Sequence, residues 1–467
     1  MVQVCDAMMG TGKTQAAIAK INADTEHPYL FITPYLEEAT RICEGCADRQ
    51  FVQPSSDSMN ANGSKFRDVH NLLRQRKNIA STHRLFSYFN QEIASLIRAG
   101  GYRLIMDEVT EVIDDLQTGN YQQLCAWERK NNNLEVAEDG HVVWKASGSS
   151  APNKELADIK RWATSGNLYY ENGHYNWVFP IAVLQAFDEI TILTYLFHAQ
   201  KLRFYLDAFQ MPYTYISVRP VCEENREYSF CEAAGSTSPQ TWLTNCIHLL
   251  ESNPNRKKSP NDIGDGLYSL SWSWYEKAST AQLKQLKTNL SSVAKNNWNG
   301  LKSDDRLWTA FKKHKDMVAG FQKGFISCNM RASNAYKDRQ ALAYCINVFM
   351  RPSIKTWFCR HGCSVSVTDE ALYALSSMLQ CIWRTAIRDR KPVYLYIPSE
   401  RMRQLLKAWI EWVTGDLGQP VSQAGRDSLA YYVERALRQI NVQQQKNYKL
   451  PSIPSDCLSD QNHKTGV

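Results

Sequence analysis

The stretch that most constrains this chain is residues 7–14, which read Ala7-Met8-Met9-Gly10-Thr11-Gly12-Lys13-Thr14. A short apolar run precedes the stretch, and a segment with helical periodicity follows it. Strand, glycine turn, Lys-Thr and helix together form the context of a phosphate-binding loop, where backbone N–H groups converge on phosphate oxygens. We expect Gly10, Thr11, Gly12, Lys13 and Thr14 to bind phosphates, and the Thr14 hydroxyl also to hold Mg²⁺. A glycine turn with a chance Lys-Thr is the weaker alternative, because it does not account for the flanking strand and helix.

Length and composition indicate a folded protein of more than one domain. The 467 residues are enough for two or three domains, and 43% of them are hydrophobic against 22% charged. A net charge of +7 permits nucleic-acid binding, but it also fits an enzyme without such a partner. The sequence has neither an apolar run long enough for a membrane span nor a signal-peptide pattern, so we expect no membrane partner and a cytoplasmic location.

Thirteen cysteines are scattered along the chain, and only two groups are close in sequence. The first group is Cys43 with Cys46, and the second is Cys359, His361 and Cys363. Neither group has a second C-x-x-C at zinc-finger spacing, so free buried thiols are expected in preference to a zinc site. Reduced cysteines also suit the cytosol.

A second anchor is the pair Asp107-Glu108, which ends an apolar strand predicted over residues 102–106. Phosphoryl transfer needs one carboxylate to hold Mg²⁺ and a second to orient and deprotonate the attacking water. We assign Asp107 to the metal and Glu108 to the water. An Asp-Glu pair is usually a solvated strand end, but its position after a phosphate loop and two more strand–turn units favours the catalytic interpretation.

Three further predicted strands end in small polar residues. They end at Thr33, at Thr82 and, after an apolar run over residues 187–193, at Thr194. Ligands of open parallel sheets bind at the carboxyl edge, where all such strand ends meet. Strand ends also attract turn-forming residues, so the order of these positions is more informative than any one of them.

Taken in order, four segments resemble motifs I, Ia, Ib and II of superfamily 2 helicases, the DEAD/DEAH-like kind: Ala7–Thr14, Thr33-Pro34, Ser81-Thr82-His83 and Asp107-Glu108-Val109-Thr110. The resemblance implies ATP and Mg²⁺ as cofactors, and it implies that Thr33 and Thr82 contact a nucleic-acid backbone. It also implies that Thr194 couples the ATP site to the nucleic-acid site. The triplet that begins at Thr194 departs from the usual Ser-Ala-Thr-like pattern of motif III.

An amphipathic helix predicted over residues 372–387 carries Gln380 and Arg384, with Arg388 directly after it. The i, i+4 spacing of the arginines would place both guanidiniums on one helical face, where they could grip the γ-phosphate as arginine fingers. This run resembles motif VI, Q-x-x-G-R-x-x-R, with Trp383 in place of the glycine and the second arginine one residue late. A surface helix with two arginines is the alternative.

The run of residues 330–339 is rich in groups that suit contact with a nucleic-acid backbone. Arg331, Asn334 and Arg339 follow a strand predicted over residues 324–329. A polar loop with a helix cap is an equally good interpretation. Further strands are predicted over residues 267–272 and 391–399.

These observations predict an α/β protein with two tandem RecA-like domains, whose parallel sheets are flanked by helices and whose cleft binds ATP. The predicted boundaries are 1–215 for the first domain, with an insertion at about 115–175, then 216–265 for a linker, 266–440 for the second domain and 441–467 for a polar tail.

The expected function is that of an ATP-dependent DNA helicase or translocase, similar to helicases encoded by bacterial viruses. The expected partners are nucleic acid, DNA in the first place, and other replication or recombination proteins. Three alternatives remain open: a phosphate-loop kinase or nucleotide-processing enzyme, a packaging-motor ATPase, and a nucleic-acid-binding ATP switch that never unwinds.

Overall fold

The computed structural model describes residues 1–57, 63–116, 120–145, 153–222, 227–233, 239–252, 258–321, 323–327, 334–415 and 423–443. Its strands are β1 (Val2–Asp6), β2 (Tyr29–Thr33), β3 (Ile79–Thr82), β4 (Arg103–Asp107), β5 (Ile113–Asp114), β6 (Leu134–Val136), β7 (Val142–Trp144), β8 (Leu168–Glu171), β9 (His174–Val178), β10 (Glu189–Thr194), β11 (Tyr213–Cys222), β12 (Glu227–Glu232), β13 (Ile247–Leu249), β14 (Arg306–Thr309), β15 (Ala341–Tyr344) and β16 (Val393–Tyr396). Its α-helices are α1 (Lys13–Ala23), α2 (Leu36–Gly45), α3 (Lys65–Arg74), α4 (His83–Phe86), α5 (Gln91–Gly100), α6 (Tyr121–Lys130), α7 (Lys154–Thr164), α8 (Ile181–Leu184), α9 (Lys201–Ala208), α10 (Trp242–Cys246), α11 (Trp272–Lys277), α12 (Thr280–Asn296), α13 (Lys315–Val318), α14 (Pro352–Arg360), α15 (Val367–Ile382), α16 (Glu400–Thr414) and α17 (Gln423–Gln443).

The chain divides into two compact units. The first unit consists of Met1–Glu232 and Met350–Val365, and the second of Ala233–Phe349 and Ser366–Val467. The boundary expected at residue 215 therefore falls inside β11. The segment expected as a linker supplies most of the β11–β12 hairpin, which pairs with the first sheet.

The sheet of the first unit has the order β12-β11-β1-β10-β4-β2-β3. All neighbouring pairs are parallel except β11–β12. Every residue of β2 is buried, as expected for a parallel strand that helices cover on both faces. The carboxyl ends of β1, β2, β3, β4 and β10 share one edge, and this edge positions the candidate site.

The insertion between β4 and β10 has its own small sheets, β5-β9-β8 and β6-β7, with α6 and α7 beside them. Helix α14 belongs to the same unit, although it comes from the second half of the sequence. Its Arg360 pairs at 3.0 Å with Glu171, whose side chain is fully buried.

The sheet of the second unit has the order β13-β16-β15-β14 and is parallel throughout. The strand expected over residues 267–272 is wrong, because these residues form a turn that leads into α11. The side-chain amide of Asn347 donates to the carbonyls of Leu267 and Ser269, and the Ser271 hydroxyl caps α11 at Trp274. Of the strand expected over residues 324–329, the described part contributes a single bridge, from Phe325 to Trp308.

The fold class agrees with the prediction: this is an α/β protein of two tandem RecA-like domains with helix-flanked parallel sheets. Within the described residues, no helix combines the length and the apolar character that a membrane crossing requires.

Candidate nucleotide-binding site

The loop between β1 and α1 has the backbone of an anion cradle. Gly10 and Gly12 have φ angles of 84° and 91°, in the left-handed region that residues with a Cβ avoid. Gly12 is also the N-cap of α1, so the unpaired N–H groups of the first turn point toward the loop. Together with the positive end of the helix dipole, these N–H groups favour a bound phosphate.

Lys13 is folded into this loop and is almost completely buried. Its Nζ donates to the carbonyl oxygens of Ala7 and Met8, and the Thr11 hydroxyl donates to the same Met8 carbonyl at 2.9 Å. Carbonyl oxygens are neutral acceptors. A phosphate oxygen in the loop would therefore form a stronger, charge-assisted bond with the same ammonium group.

The Thr14 hydroxyl and the carboxylate of Asp107 meet, although 93 positions separate them in sequence. Thr14 Oγ1 donates to Asp107 Oδ2 at 3.4 Å. The sheet brings the two together, since β10 lies between β1 and β4 and aligns Leu193 with Asp107. A hydroxyl and a carboxylate are hard oxygen donors of the kind that Mg²⁺ prefers.

The protonation behaviour of Asp107 also fits a cation site. Burial and, to a smaller extent, the neighbouring Glu108 raise the pKa of Asp107, Lys13 opposes the rise, and the resulting pKa is about 7. A divalent cation would stabilise the ionised form that burial disfavours. Among the described residues, no group of three or more acidic, His or Cys side chains is arranged to hold a metal ion.

Glu108 has a strained backbone, with φ of 62°. Its N–H donates to the Leu193 carbonyl at 2.9 Å, which holds the residue in place. Strained residues of this type cluster at functional sites. The backbone of Asp107 is braced as well, because His83 Nε2 lies 2.9 Å from its carbonyl oxygen. A carbonyl only accepts, so this nitrogen carries the proton.

Thr194 is linked directly to the phosphate loop through its backbone. Its carbonyl accepts from the N–H of Ala7 at 3.0 Å, and its buried hydroxyl bonds with the Gln200 amide at 2.9 Å. Asp6, at the end of β1, joins the same two segments a second time, because its carboxylate accepts from the N–H of Leu196 at 2.7 Å. The predicted coupling residue and the loop thus belong to one hydrogen-bonded network. The contribution of Asp6 was missed, although a carboxylate that ends an apolar strand could have indicated it.

The β11–β12 hairpin supplies a contact that the sequence did not suggest. A Cβ added to Gly12 would lie 2.4 Å from the Tyr228 ring, so the ring closes this position to any side chain. Phe230 of the same strand lies 5.9 Å from the ammonium of Lys20 on α1. The hairpin therefore covers the start of α1, beside the phosphate loop.

The two predicted backbone-contacting threonines are neighbours at the same sheet edge, since Thr33 aligns with Thr82 in the register. Thr33 is fully buried, and within the described part of the chain its hydroxyl has no hydrogen-bond partner. The Thr82 hydroxyl accepts from the Leu85 N–H at 3.4 Å and caps α4. Thr82 is thus the more accessible of the two.

In the second unit, Arg384 and Arg388 do not share a helical face, which corrects the expectation. Helix α15 ends at Ile382, where the Thr385 hydroxyl donates to the Ile382 carbonyl at 2.6 Å. Residues Ala386–Asp389 then form a 3₁₀ turn. The side chain of Thr385 competes with the helix for a terminal carbonyl, and this competition favours a stop.

Arg384 is buried, whereas Arg388 is exposed and Gln380 is partly buried on α15. The Arg384 guanidinium donates to the Ser327 carbonyl over a long 3.4 Å, and its Nε has no partner among the described residues. A buried guanidinium with so weak a neutral acceptor suits an anion.

The remaining predicted backbone contacts are only partly described. Arg331 lies outside the described residues. Asn334 begins the 3₁₀ turn Asn334–Tyr336. The Arg339 guanidinium donates to the Asp304 carbonyl of its own unit.

The cysteines follow the expectation with one correction. Cys43, Cys46 and Cys363 are free thiols, and burial raises the pKa of Cys46 to about 11. Cys359 is disulfide-bonded instead. The spacing of cysteines along the sequence does not by itself determine which of them form disulfides.

Three solved structures of helicases or related proteins are similar to this chain. The structure of S. tokodaii Xpd4 is 13% identical, with coverage of 87% of this chain and 94% of that chain and a TM-score of 0.39. An XPD helicase is 11% identical, with coverage of 88% and 94% and a TM-score of 0.37. A DEAD box protein from the hyperthermophile Methanococcus jannaschii is 11% identical, with coverage of 88% and 86% and a TM-score of 0.26.

Sequence comparison gives a closer relationship. Residues 242–410 match the family model of the YonV C-terminal Rossmann-like domain. The chain is 34% identical over 424 residues to the SPbeta prophage-derived uncharacterized protein YonV of Bacillus subtilis (strain 168). That match covers 88% of this chain and 98% of the relative. The chain therefore belongs to the YonV family.

Proposed function

We propose that this protein is a nucleic-acid-dependent ATPase that uses ATP hydrolysis to move along or unwind nucleic acid, DNA in the first place. The observation that supports this most is the contact of 3.4 Å between Thr14 Oγ1 and Asp107 Oδ2. It joins the phosphate loop to the strand-end carboxylates. A loop alone would indicate nucleotide binding, whereas a loop with two carboxylates at its metal side is suited to hydrolysis.

The residues of the first unit divide the work as follows. The loop N–H groups and the Lys13 ammonium bind the phosphates and neutralise their charge. The Thr14 hydroxyl and the Asp107 carboxylate hold the metal ion, and Glu108 orients the attacking water and accepts its proton. When bound, Mg²⁺ and ATP supply the Lewis acid and the transferable phosphoryl group.

Coupling to nucleic acid rests on separate observations. Thr194 shares a hydrogen-bonded network with the phosphate loop, and Thr33 and Thr82 lie on the same sheet edge. The buried Arg384 is a candidate for binding phosphate charge. YonV is prophage-derived by name, which fits a role in the replication, recombination or repair of viral DNA.

The test is the ATPase rate of the full chain against single-stranded, duplex, forked and four-way DNA, with matched RNA. We expect nucleic acid to stimulate hydrolysis in the wild-type protein. Lys13→Ala should abolish it, and Glu108→Gln should lower it by roughly 10²- to 10⁴-fold. Lys20→Ala, on the same helix, and Glu111→Gln, three residues after Glu108, are matched controls that should keep most activity.

Several outcomes would contradict the proposal. Unchanged hydrolysis in Lys13→Ala would refute the phosphate-loop assignment. Hydrolysis that no nucleic acid stimulates would favour a kinase or nucleotide-processing enzyme. If hydrolysis is stimulated, a strand-displacement assay separates a helicase from an ATP switch that never unwinds.

A further inference from the structure

The insertion of the first unit contains a cleft that the proposed ATPase site does not use. It has a volume of about 720 Å³ and lies between α6 and the β8–β9 hairpin, and we call it the α6 pocket. The side chains that matter for its chemistry are those of Gln122, Arg129, Lys130, Tyr170, His174 and Tyr175.

We propose that the α6 pocket binds single-stranded nucleic acid, with its cations on the phosphates and two rings against the bases: the partly exposed Tyr170 of the lining and the exposed Trp127 of the same helix as the cations. This inference rests on the proposed function, because it adds a second contact for the same polymer. In this proposal the insertion helps to bind the nucleic-acid strand.

The walls of the α6 pocket are held rigidly. The Gln122 side-chain amide donates to the Tyr175 carbonyl at 2.8 Å, and its oxygen accepts from the Tyr175 N–H at 2.8 Å. This pair of bonds fixes α6 against β9. The hairpin turn has Asn172 and Gly173 at φ of 49° and 80°, the signs that a tight two-residue turn requires. A preformed site loses little conformational entropy when a ligand binds.

The charge of the α6 pocket is positive and is not balanced within its lining. Arg129 and Lys130 contribute two cations, and no aspartate or glutamate among the described residues lines the pocket. Two acidic residues, Glu128 and Glu171, are adjacent in sequence to the lining, and both are buried: Glu128 accepts from the Asn133 amide at 2.6 Å, and Glu171 pairs with Arg360. A cleft whose charged lining residues are all cations attracts a polyanion.

Aromatic rings accompany the cations. The Arg129 guanidinium lies 4.7 Å from the centre of the Tyr170 ring, and the ring centres of Tyr170 and Tyr175 are 4.8 Å apart. Trp127 of α6 is 59% exposed, and it shares a helical face with Lys130 three residues later. Proteins that bind single-stranded nucleic acid usually combine cations with aromatic side chains, because every base has a ring face on which an aromatic side chain can stack.

The test measures binding of fluorescein-labelled 12-mers of dT and rU to the full chain without nucleotide, by anisotropy at several salt concentrations. Arg129→Gln/Lys130→Gln should weaken binding and reduce the slope of log K against log salt by about 1.4, two phosphate contacts at ~0.7 each. Trp127→Ala should raise Kd at least about 5-fold with an unchanged slope. The control Lys145→Gln/Lys154→Gln removes two exposed cations elsewhere on the insertion and should change neither.

The outcomes separate this inference from the proposed function. If the wild-type chain binds the 12-mers and the pocket variant binds as the control does, the α6 pocket assignment is wrong and the ATPase proposal stands. Equal affinity for a polyglutamate peptide of the same charge would also overturn the assignment. If the wild-type chain binds no oligonucleotide and none stimulates hydrolysis, both ideas fail together. Hydrolysis without nucleic acid should be unchanged in the pocket variants.

Discussion

Asp107→Asn should make the nucleotide-free protein more stable while it removes the proposed activity. Folding places the partly buried Asp107 carboxyl beside Glu108, and desolvation together with that neighbour raises its pKa from 3.8 to about 7. The folded protein therefore pays a penalty for ionising this group that the unfolded chain does not. Asparagine has a similar shape, can still accept from Thr14 and carries no charge.

The size and the pH dependence of this gain follow from the shift. A rise in pKa from 3.8 to about 7 corresponds to roughly 4 kcal/mol of free energy of unfolding. Because the side chains around Asp107 and Glu108 can adjust to the charge, we expect Asp107→Asn to raise the free energy of unfolding by about 2–4 kcal/mol. Below pH 3.8 the group is neutral in both states, so the substitution changes nothing. The gain grows as pH rises toward 7 and is complete above it.

The assay is urea unfolding of wild type and Asp107→Asn in EDTA, at pH 5 and pH 8. The free-energy difference should be larger at pH 8. Asp48→Asn, at an exposed position of the first unit, is the control and should show no such dependence. Adding Mg²⁺ and ATP should stabilise wild type but not the variant. A difference that is equal at both pH values, or a variant less stable than wild type at pH 8, would refute the reasoning.

Two further predictions concern the same unit. Gly10→Ala should cost ~1–2 kcal/mol from its positive φ alone, since no atom lies within 4 Å of the added Cβ. Gly12→Ala should lower the free energy of unfolding further, because its Cβ also meets the Tyr228 ring. Adding Tyr228→Ala should restore only part of the lost melting temperature and ATP affinity, because it removes the clash but leaves the positive φ. Arg360→Ala should destabilise by roughly 2–3 kcal/mol at pH 8, below the usual buried-pair value because Arg360 is 52% exposed. The loss should shrink at pH 5, since burial raises the pKa of Glu171 and its neutral form needs no partner. Adding Glu171→Gln to Arg360→Ala should recover most of the lost stability. If thermal unfolding shows the same loss at pH 5 and pH 8, the stabilising role of the Arg360–Glu171 pair is wrong.

The sequence predicted the edge of the first sheet well, because each signal there is local. Strand β2 up to Ile32 and residues 104–106 of β4 are continuous apolar runs, and each stops at a polar residue, Thr33 and Asp107 in turn. A buried parallel strand requires such a run, and the ligand edge requires such an end. The contacts of His83 with Asp107 and of Tyr228 with the phosphate loop are long-range, so no local pattern could reveal them.

The second unit was harder to predict, since distant residues determine its local structure. Residues 267–272 are rich in strand formers, but the side chain of Asn347 holds their carbonyls in a turn. The end of α15 depends on the Thr385 hydroxyl and on the Ala386 N–H, which donates to the Arg339 carbonyl at 2.8 Å. The helical periodicity around Arg384 continues past Ile382, so it predicted a helix longer than α15.

The return of α14 to the first unit limits how the genes of these proteins can recombine. The chain passes between the units after residues 232, 349 and 365, so no single cut in the gene separates them. A recombination event at residue 232 would join the first unit of one lineage to a foreign α14. The new α14 would then have to cover Glu171 and fit the aromatic contacts that Trp357 makes with Tyr169 and Phe209. Exchange of whole units between related genomes should therefore be rare, and viable chimaeras should keep residues 350–365 from the parent that supplied the first unit.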